Sequence, residues 1–397
     1  MTTITIGSPV WGADFFDREE VLDELWGAIQ AGTSVLLAAP RRVGKTSLML
    51  RLRDVPRAAF ESRVYYLDAE KYETPAELVE DLAALTYRSQ PRVRRFVTSL
   101  LGAATAVEEM EVWEVRMKLR ERVRADWKAQ GTHLLRELSA DGQRCLLLVD
   151  ELSVLLYRLA SSEQGAAEAV DVLHWLRAMR QELGPALAMV LGSSLGVGWV
   201  ASSLGASRAI NDLRQVEVGP FGADTARHFV RSLFLSQGLS VGEPAVEAVF
   251  EQVGTLLPIF IQMMVKAVSA EARARGGPVD RELVRQCYEQ RVLGPEFRQQ
   301  FEDYYQRFDR YYEVEEARVA RRLLSELAKV PEGVRSEALY ALYARELGPA
   351  ANREGFDRLL AKLEEDFFLR VVLQDLQRVV QFYSQWLRDW WRRFHGA

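Results

Sequence analysis

The stretch Ala39-Pro40-Arg41-Arg42-Val43-Gly44-Lys45-Thr46 narrows the folds open to this chain more than any other. A short apolar run precedes it, Ser34-Val35-Leu36-Leu37-Ala38, the length of one buried strand. Ser47-Leu48-Met49-Leu50-Arg51-Leu52 follows with the spacing of an amphipathic helix. Strand, tight turn, Gly-Lys-Thr and helix in that order make a P-loop: backbone N–H groups at a helix start face an anion, and the helix dipole adds to their pull. Ala39 to Ser47 are the expected phosphate-binding residues. Gly44 lets the backbone approach closely, Lys45 reaches the outer phosphates, and the Thr46 hydroxyl can ligate magnesium. One position departs from the pattern, because Ala39 stands where the motif has its first glycine. A methyl group is harmless there at negative φ and costly in the left-handed region.

A second run completes the chemistry. Arg144-Cys145-Leu146-Leu147-Leu148-Val149-Asp150-Glu151 is continuously apolar and ends in two carboxylates. Such a run reads as a strand covered on both faces in the middle of a parallel sheet. Asp150 at its C-terminal end would face magnesium beside Thr46, and Glu151 would polarise a water for attack on a γ-phosphate. Ala188-Met189-Val190-Leu191-Gly192 is a further strand, followed by Ser193-Ser194. A strand-end hydroxyl there, with Ser193 the catalytic candidate, can orient the attacking water; a serine turn satisfying its own backbone is the alternative. Between these strands, 171–181 is helical. Arg177 or Arg180 on it could reach a phosphate as an arginine finger, or could lie on a solvated face, and His174 reads as a helix-surface residue.

Together these residues resemble the archaeal-type ATPases of the AAA+/STAND group of P-loop NTPases, over most of the chain. Phe15-Phe16-Asp17-Arg18-Glu19-Glu20, followed by Val21, Leu22 and Leu25, is similar to the family's opening segment, although the glutamate expected before the leucine is displaced. The resemblance implies that Phe16 and Arg18 help wall an adenine pocket. Gly254-Thr255-Leu256-Leu257-Pro258 resembles the family's lid motif, with an extra residue or two in its spacing, which implies a place for Pro258 near the nucleotide. ATP and magnesium are the implied cofactors. The implied fold is α/β: a parallel-sheet P-loop core, a helical lid and a C-terminal winged-helix domain.

The order of the remaining elements agrees with that outline. With 397 residues and 48% hydrophobic content the chain suits two or three globular domains. The expected division is a core over 1–221, a lid over 222–295, and a connector with the winged helix over 296–397. Val64–Asp68 and Gln215–Val218 read as further strands. Residues 90–130 read as an insertion, either a partner surface or a cover for a sheet edge. Within it Val115, Met117 and Leu119 alternate with Glu114, Arg116 and Lys118, as in a half-exposed strand. From Leu183 to Ser207 no residue is charged, but Pro185 and many Gly and Ser residues favour a strand and loop over a membrane span. An aromatic connector, 301–312, leads to helices at 317–328, 336–345 and 353–365 and to strands at 367–373 and 377–383. The two cysteines, Cys145 and Cys287, are too few for a disulfide framework.

The expectation is therefore a cytoplasmic ATPase with slow turnover. It would act as a nucleotide-gated switch in assembly or in binding a protein partner, with hydrolysis changing the angle between sheet domain and lid. One alternative is a DNA-associated ATPase of replication, transposition or repair. A second is a scaffold that holds nucleotide with little hydrolysis. A net charge of −5 gives no general pull toward nucleic acid. Residues 353–366 carry Arg353, Arg358 and Lys362 against Glu354, Asp357, Glu364, Glu365 and Asp366, a poor counter-surface for phosphates. The tail, Trp386-Leu387-Arg388-Asp389-Trp390-Trp391-Arg392-Arg393-Phe394-His395, could stack on bases but reads more simply as an amphipathic helix with packed tryptophans.

Overall fold

The structure, a computed structural model, describes residues 3–101, 111–140 and 142–396. By internal contact the chain divides into two units, one of Arg18–Ala39 with Lys45–Val218 and one of Met1–Asp17, Pro40–Gly44 and Gly219–Ala397. The first unit begins with α1 (Glu19–Gln30), β1 (Val35–Ala38), α2 (Lys45–Asp54), β2 (Val64–Asp68) and α3 (Pro75–Thr86). It continues with α4 (Pro91–Leu101), α5 (Val112–Ala125), α6 (Trp127–Leu138), β3 (Cys145–Asp150), α7 (Leu152–Ala160) and α8 (Glu163–Leu183). It ends with β4 (Leu187–Ser193), α9 (Val197–Ser203) and β5 (Arg214–Glu217).

The five strands form one parallel sheet in the order β2-β3-β4-β1-β5. β3 and β4 are buried along their whole length, which is why their sequences are continuously apolar rather than alternating. β5 lies at an edge and buries only Val216. The register sets Asp68 opposite Asp150 and Ala38 opposite Ser193. In a parallel sheet all C-terminal ends lie on one side, so the turn after β1, the carboxylates after β3 and the serines after β4 share one edge.

Two local expectations need correction. Residues 115–119 lie in a helix, α5, not in a strand. Val115, Leu119 and Val123 are buried, whereas Met117 is 59% exposed. The true apolar stripe therefore repeats every four residues, and the alternation was a coincidence of a short window. α5 packs on α3, where Arg116 pairs with Asp81 at 3.0 Å and Arg124 with Glu77 at 3.3 Å. Part of the insertion read at 90–130, residues 102–110, lies outside the described residues. In the uncharged stretch, β4 is followed by the short helix α9, where a Gly/Ser loop was expected. Among the described residues no helix is long and apolar enough to cross a membrane.

The second unit holds α10 (Ala223–Ser236), α11 (Glu243–Val253), α12 (Pro258–Arg275), α13 (Arg281–Cys287) and α14 (Arg298–Tyr311). Beyond them lie α15 (Val314–Leu327), β6 (Val334–Arg335), α16 (Ser336–Leu347), α17 (Arg353–Glu365), β7 (Leu369–Gln374), β8 (Gln377–Phe382) and α18 (Gln385–His395). The last strands make a small antiparallel sheet in the order β6-β8-β7. Helix, short strand, two helices and hairpin follow one another in that order. The two-residue β6 was not anticipated, because a run that short has no period to read.

The tryptophans of α18 are core residues. Trp386 stacks on Phe260 of α12 at 4.7 Å between ring centroids and donates its indole N–H to the Gln252 carbonyl at 2.7 Å. Trp391 donates to Ser325 of α15 at 3.0 Å. Both cysteines are free and buried. Trp386→Ala removes a large buried ring and the N–H that satisfies a carbonyl. We expect it to cost about 3–5 kcal/mol, read as a lower urea midpoint, with loss of cooperativity between α10–α13 and the C-terminal elements.

Candidate nucleotide-binding site

The site is built where β1 gives way to α2. The N–H of Ala39 donates to the Ser193 carbonyl at 3.2 Å, extending the ladder between β1 and β4 by one residue. Ala39 is not among the residues with positive φ, so its methyl group is tolerated where the motif has glycine. The left-handed positions are Arg42, at φ 67°, and Gly44, at φ 101°. With Val43 between them at negative φ, the loop has the alternating handedness from which anion nests are built. Ala39, Pro40, Val43 and Ser47 are buried, whereas Arg41, Arg42, Gly44 and Thr46 are partly exposed.

Lys45 opens α2 with its side chain 4% exposed. Its ammonium bonds to Asp150 and, at 2.8 Å, to Glu151 Oε1. Burial alone would lower the Lys45 pKa, but the charges of Glu151 and Asp150 outweigh it and hold it above the ordinary value. Burial pushes Asp150 up; the Lys45 charge, the hydrogen bonds from Lys45 and Thr46, and the Glu151 N–H together pull it below its ordinary value. Thr46 Oγ1 donates to Asp150 Oδ2 at 2.6 Å. This hydroxyl and carboxylate fit magnesium, which takes few protein oxygens and fills its octahedron with phosphate and water.

Glu151 stands at φ 53°, left-handed, as the residue that caps α7. Its carboxylate accepts from Ser194 Oγ at 2.7 Å. Ser193, the serine favoured by sequence, turns away: its hydroxyl bonds to Ser153 Oγ at 2.9 Å and to the Leu195 carbonyl. The hydroxyl beside the acid is therefore that of Ser194. Two further contributors were not anticipated. Tyr66 on β2 donates to Asp150 Oδ2 at 3.3 Å, and Gly192 leaves room for the carboxylate. A Cβ at Gly192 would stand 2.6 Å from Asp150 Oδ1 and 2.9 Å from Met49 Sδ.

Residues 15–259 match the family described as an ATPase domain predominantly from Archaea. The chain belongs to that family. No curated protein matches this archaeal-type ATPase significantly. Among solved structures it is similar to the Walker-type ATPase paby2304 of Pyrococcus abyssi, with 18% identity, 98% of this chain and 99% of that chain covered, and a TM-score of 0.60. It is also similar to the ORC2 protein of Aeropyrum pernix in its ADPNP-ADP complexes, with 11% identity, 94% and 92% covered, and a TM-score of 0.51. Likenesses at these identities establish the fold alone, a parallel sheet flanked by helices and followed by a helical second unit.

The other candidate residues of the ATPase fall as follows. Phe16 packs on Phe229 at 4.9 Å and on Phe221 at 6.2 Å, an aromatic cluster within the second unit. In the same unit Pro258 is the first residue of α12, and Thr5 N–H donates to Gln262 of that helix at 2.6 Å. Arg18 precedes α1 at φ 82° and accepts from Leu22 N–H at 2.9 Å. Arg180 is buried and holds Asp212 through two bonds of 3.0 and 2.9 Å, and Arg177 bonds to Asn211 at 2.9 Å. Both arginines brace α8 against the segment before β5. His174 is exposed on α8.

The ion pair sets a pH dependence. Asp150 is depressed on folding, so its contribution is present above the unfolded value and lost as pH falls through the folded value. Lys45 is raised, so its contribution is complete below the unfolded value and lost as pH rises through the folded one. The pair therefore stabilises most between about pH 4 and about pH 10. Asp150→Asn should flatten the acid limb of the denaturation midpoint plotted against pH. Gly192→Ala should leave the protein folded yet lower turnover roughly 100-fold, the scale expected when a catalytic group moves by an ångström; single-turnover hydrolysis measures it.

Proposed function

We propose that the chain is a magnesium-dependent ATPase whose ATP-bound and ADP-bound forms differ in assembly or in affinity for a protein partner. The observation that supports it most is the convergence of Lys45, Thr46, Asp150, Glu151 and Ser194 at the C-terminal ends of β1, β3 and β4. Lys45 would exchange its carboxylate partners for the outer phosphates. Thr46 and Asp150 would hold magnesium, which supplies charge neutralisation between phosphate oxygens. Glu151 would accept a proton from the attacking water, with Ser194 fixing the carboxylate's orientation. Glu151 is engaged by both Lys45 and Ser194, and freeing it on each cycle is in keeping with slow turnover.

The charge on α17 favours a protein partner over DNA. Arg353 bonds to Glu337 and Arg358 to Glu354, each at 2.8 Å, and Lys362 is buried against Glu316 at 2.7 Å. Each cation is matched by a neighbouring carboxylate, and Glu364 and Glu365 remain exposed. Phosphate could take the two exposed arginines from their partners, but the carboxylates left behind, with Glu364 and Glu365, would repel a polyanion at the same surface.

Lys45→Ala should abolish nucleotide binding. Glu151→Gln should retain it while hydrolysis falls about 100- to 10,000-fold, the span of general-base effects. Sizing the wild-type chain with ADP and with a non-hydrolysable ATP analogue, with and without duplex DNA, tests the switch. A nucleotide-dependent change in mass or partner capture is expected. Identical profiles in both nucleotides would remove the switch, and DNA-stimulated turnover with a steep salt dependence would replace it with the DNA reading.

A further inference from the structure

Arg42 belongs to the P-loop turn, yet its guanidinium is engaged by α14 within the same unit. Nη2 donates to Asp303 Oδ2 at 2.7 Å, and Nη1 bonds to the Gln300 side-chain oxygen and lies 3.4 Å from the Gln300 carbonyl. Gln300 and Asp303 are three apart on a helix and so share a face. Another face of the same helix carries Phe301, 5.8 Å from Trp390 and 6.3 Å from Phe260, and Phe308, 4.7 Å from Phe368. One helix thus touches the phosphate cradle on one side, and α12, α18 and the start of the hairpin on the other. Arg42 and Asp303 keep side-chain exposures of 25% and 23%, so the pair is open to competition from solvent and ligand.

We infer that Asp303 and Gln300 are positioning residues of the cradle, competing with polyphosphate for Arg42. The inference rests on the nucleotide reading above and adds its regulation. A guanidinium forks well onto a carboxylate and equally well onto a phosphate, which carries more charge and more acceptor oxygens. Polyphosphate in the loop takes Arg42 from Asp303, and α14 loses a tether. The helix passes that loss to the aromatic contacts around Phe301 and Phe308. Because two partners share one guanidinium, weakening the helix partner must strengthen the ligand, and the effect is reciprocal.

The test compares the full-length wild-type chain with Asp303→Asn, Asp303→Glu, Gln300→Ala and Lys45→Ala. Affinity for a non-hydrolysable ATP analogue is measured by calorimetry, and hydrogen exchange is followed along α14. Removing a partly exposed pair predicts binding about 2- to 5-fold tighter in Asp303→Asn, with a smaller gain in Gln300→Ala. In wild type the analogue speeds exchange in α14; in Asp303→Asn exchange is already fast and no longer responds, and Asp303→Glu restores both behaviours. A purely structural role for Asp303 would not tighten binding or abolish a ligand response. Equal or weaker binding in both Asp303→Asn and Gln300→Ala, or α14 exchange that ignores the analogue in wild type, overturns the inference. If Lys45→Ala loses binding as expected while Asp303→Asn and Gln300→Ala match wild type, only this inference falls. If wild type binds no nucleotide, the ATPase reading falls with it.

Discussion

The contact on which the sheet unit turns is the ammonium of Lys45 between the carboxylates of Asp150 and Glu151. A buried cation costs several kcal/mol unless charge and hydrogen bonds surround it, so the sheet must deliver two acids to one spot. It does so by ending β3 on Asp150 and turning at once into α7. β4, between β3 and β1, must then be thin where the acid lies, and Gly192 satisfies that requirement. A pair of this kind is weak support for stability, since well-packed apolar residues would fill the space at less cost. Its presence at the mouth of an anion nest is understandable as a charge reserve, ready to be rearranged by a ligand that brings charge of its own.

Much of this arrangement was legible in the residues. The central strands showed themselves as unbroken apolar runs because a strand covered on both faces has no wet side to mark. The loop showed itself because few sequences other than phosphate cradles place Gly44, Lys45 and Thr46 between a buried strand and a helix. What escaped depends on neighbours that the chain reaches only by folding. Tyr66 meets Asp150 through the pairing of β2 with β3, which no local pattern specifies. Ser193 and Ser194 are equivalent in composition, and only the path of the backbone leaving β4 decides which hydroxyl meets Glu151. The strand expected at 115–119 failed for the opposite reason. Within 115–119 a helical stripe shares Val115 and Leu119 with an alternating one, and Met117, apolar but exposed, supplied the false third.

The C-terminal tail shows how composition can mislead about partners. Basic and aromatic residues together invite a nucleic-acid reading, yet Trp386, Trp390 and Trp391 are buried among Phe260, Phe301, Phe308 and Ser325. The arginines of α18 either pair, as Arg388 does with Asp389 at 2.8 Å, or stay at the surface. The amphipathic spacing was the better guide, because a helix sorts apolar from charged residues by face whatever the partner.

Of the eight non-glycine residues at positive φ among the described residues, two flank the Lys45–Asp150 ion pair. Arg42 at φ 67° and Glu151 at φ 53° are left-handed without being glycine, a conformation that costs of order 1–3 kcal/mol per residue. Glycine would adopt either turn without that cost, as Gly44 does at φ 101° in the same loop. What glycine cannot supply is a side chain, and at both positions the side chain is engaged: Glu151 by Lys45 and Ser194, Arg42 by Asp303 and Gln300. The turns are therefore fixed by backbone geometry, while the identities of these residues are fixed by charge. On the proposed reading, the carboxylate of Glu151 serves the water beside a γ-phosphate, and the guanidinium of Arg42 answers Asp303 where the loop meets α14.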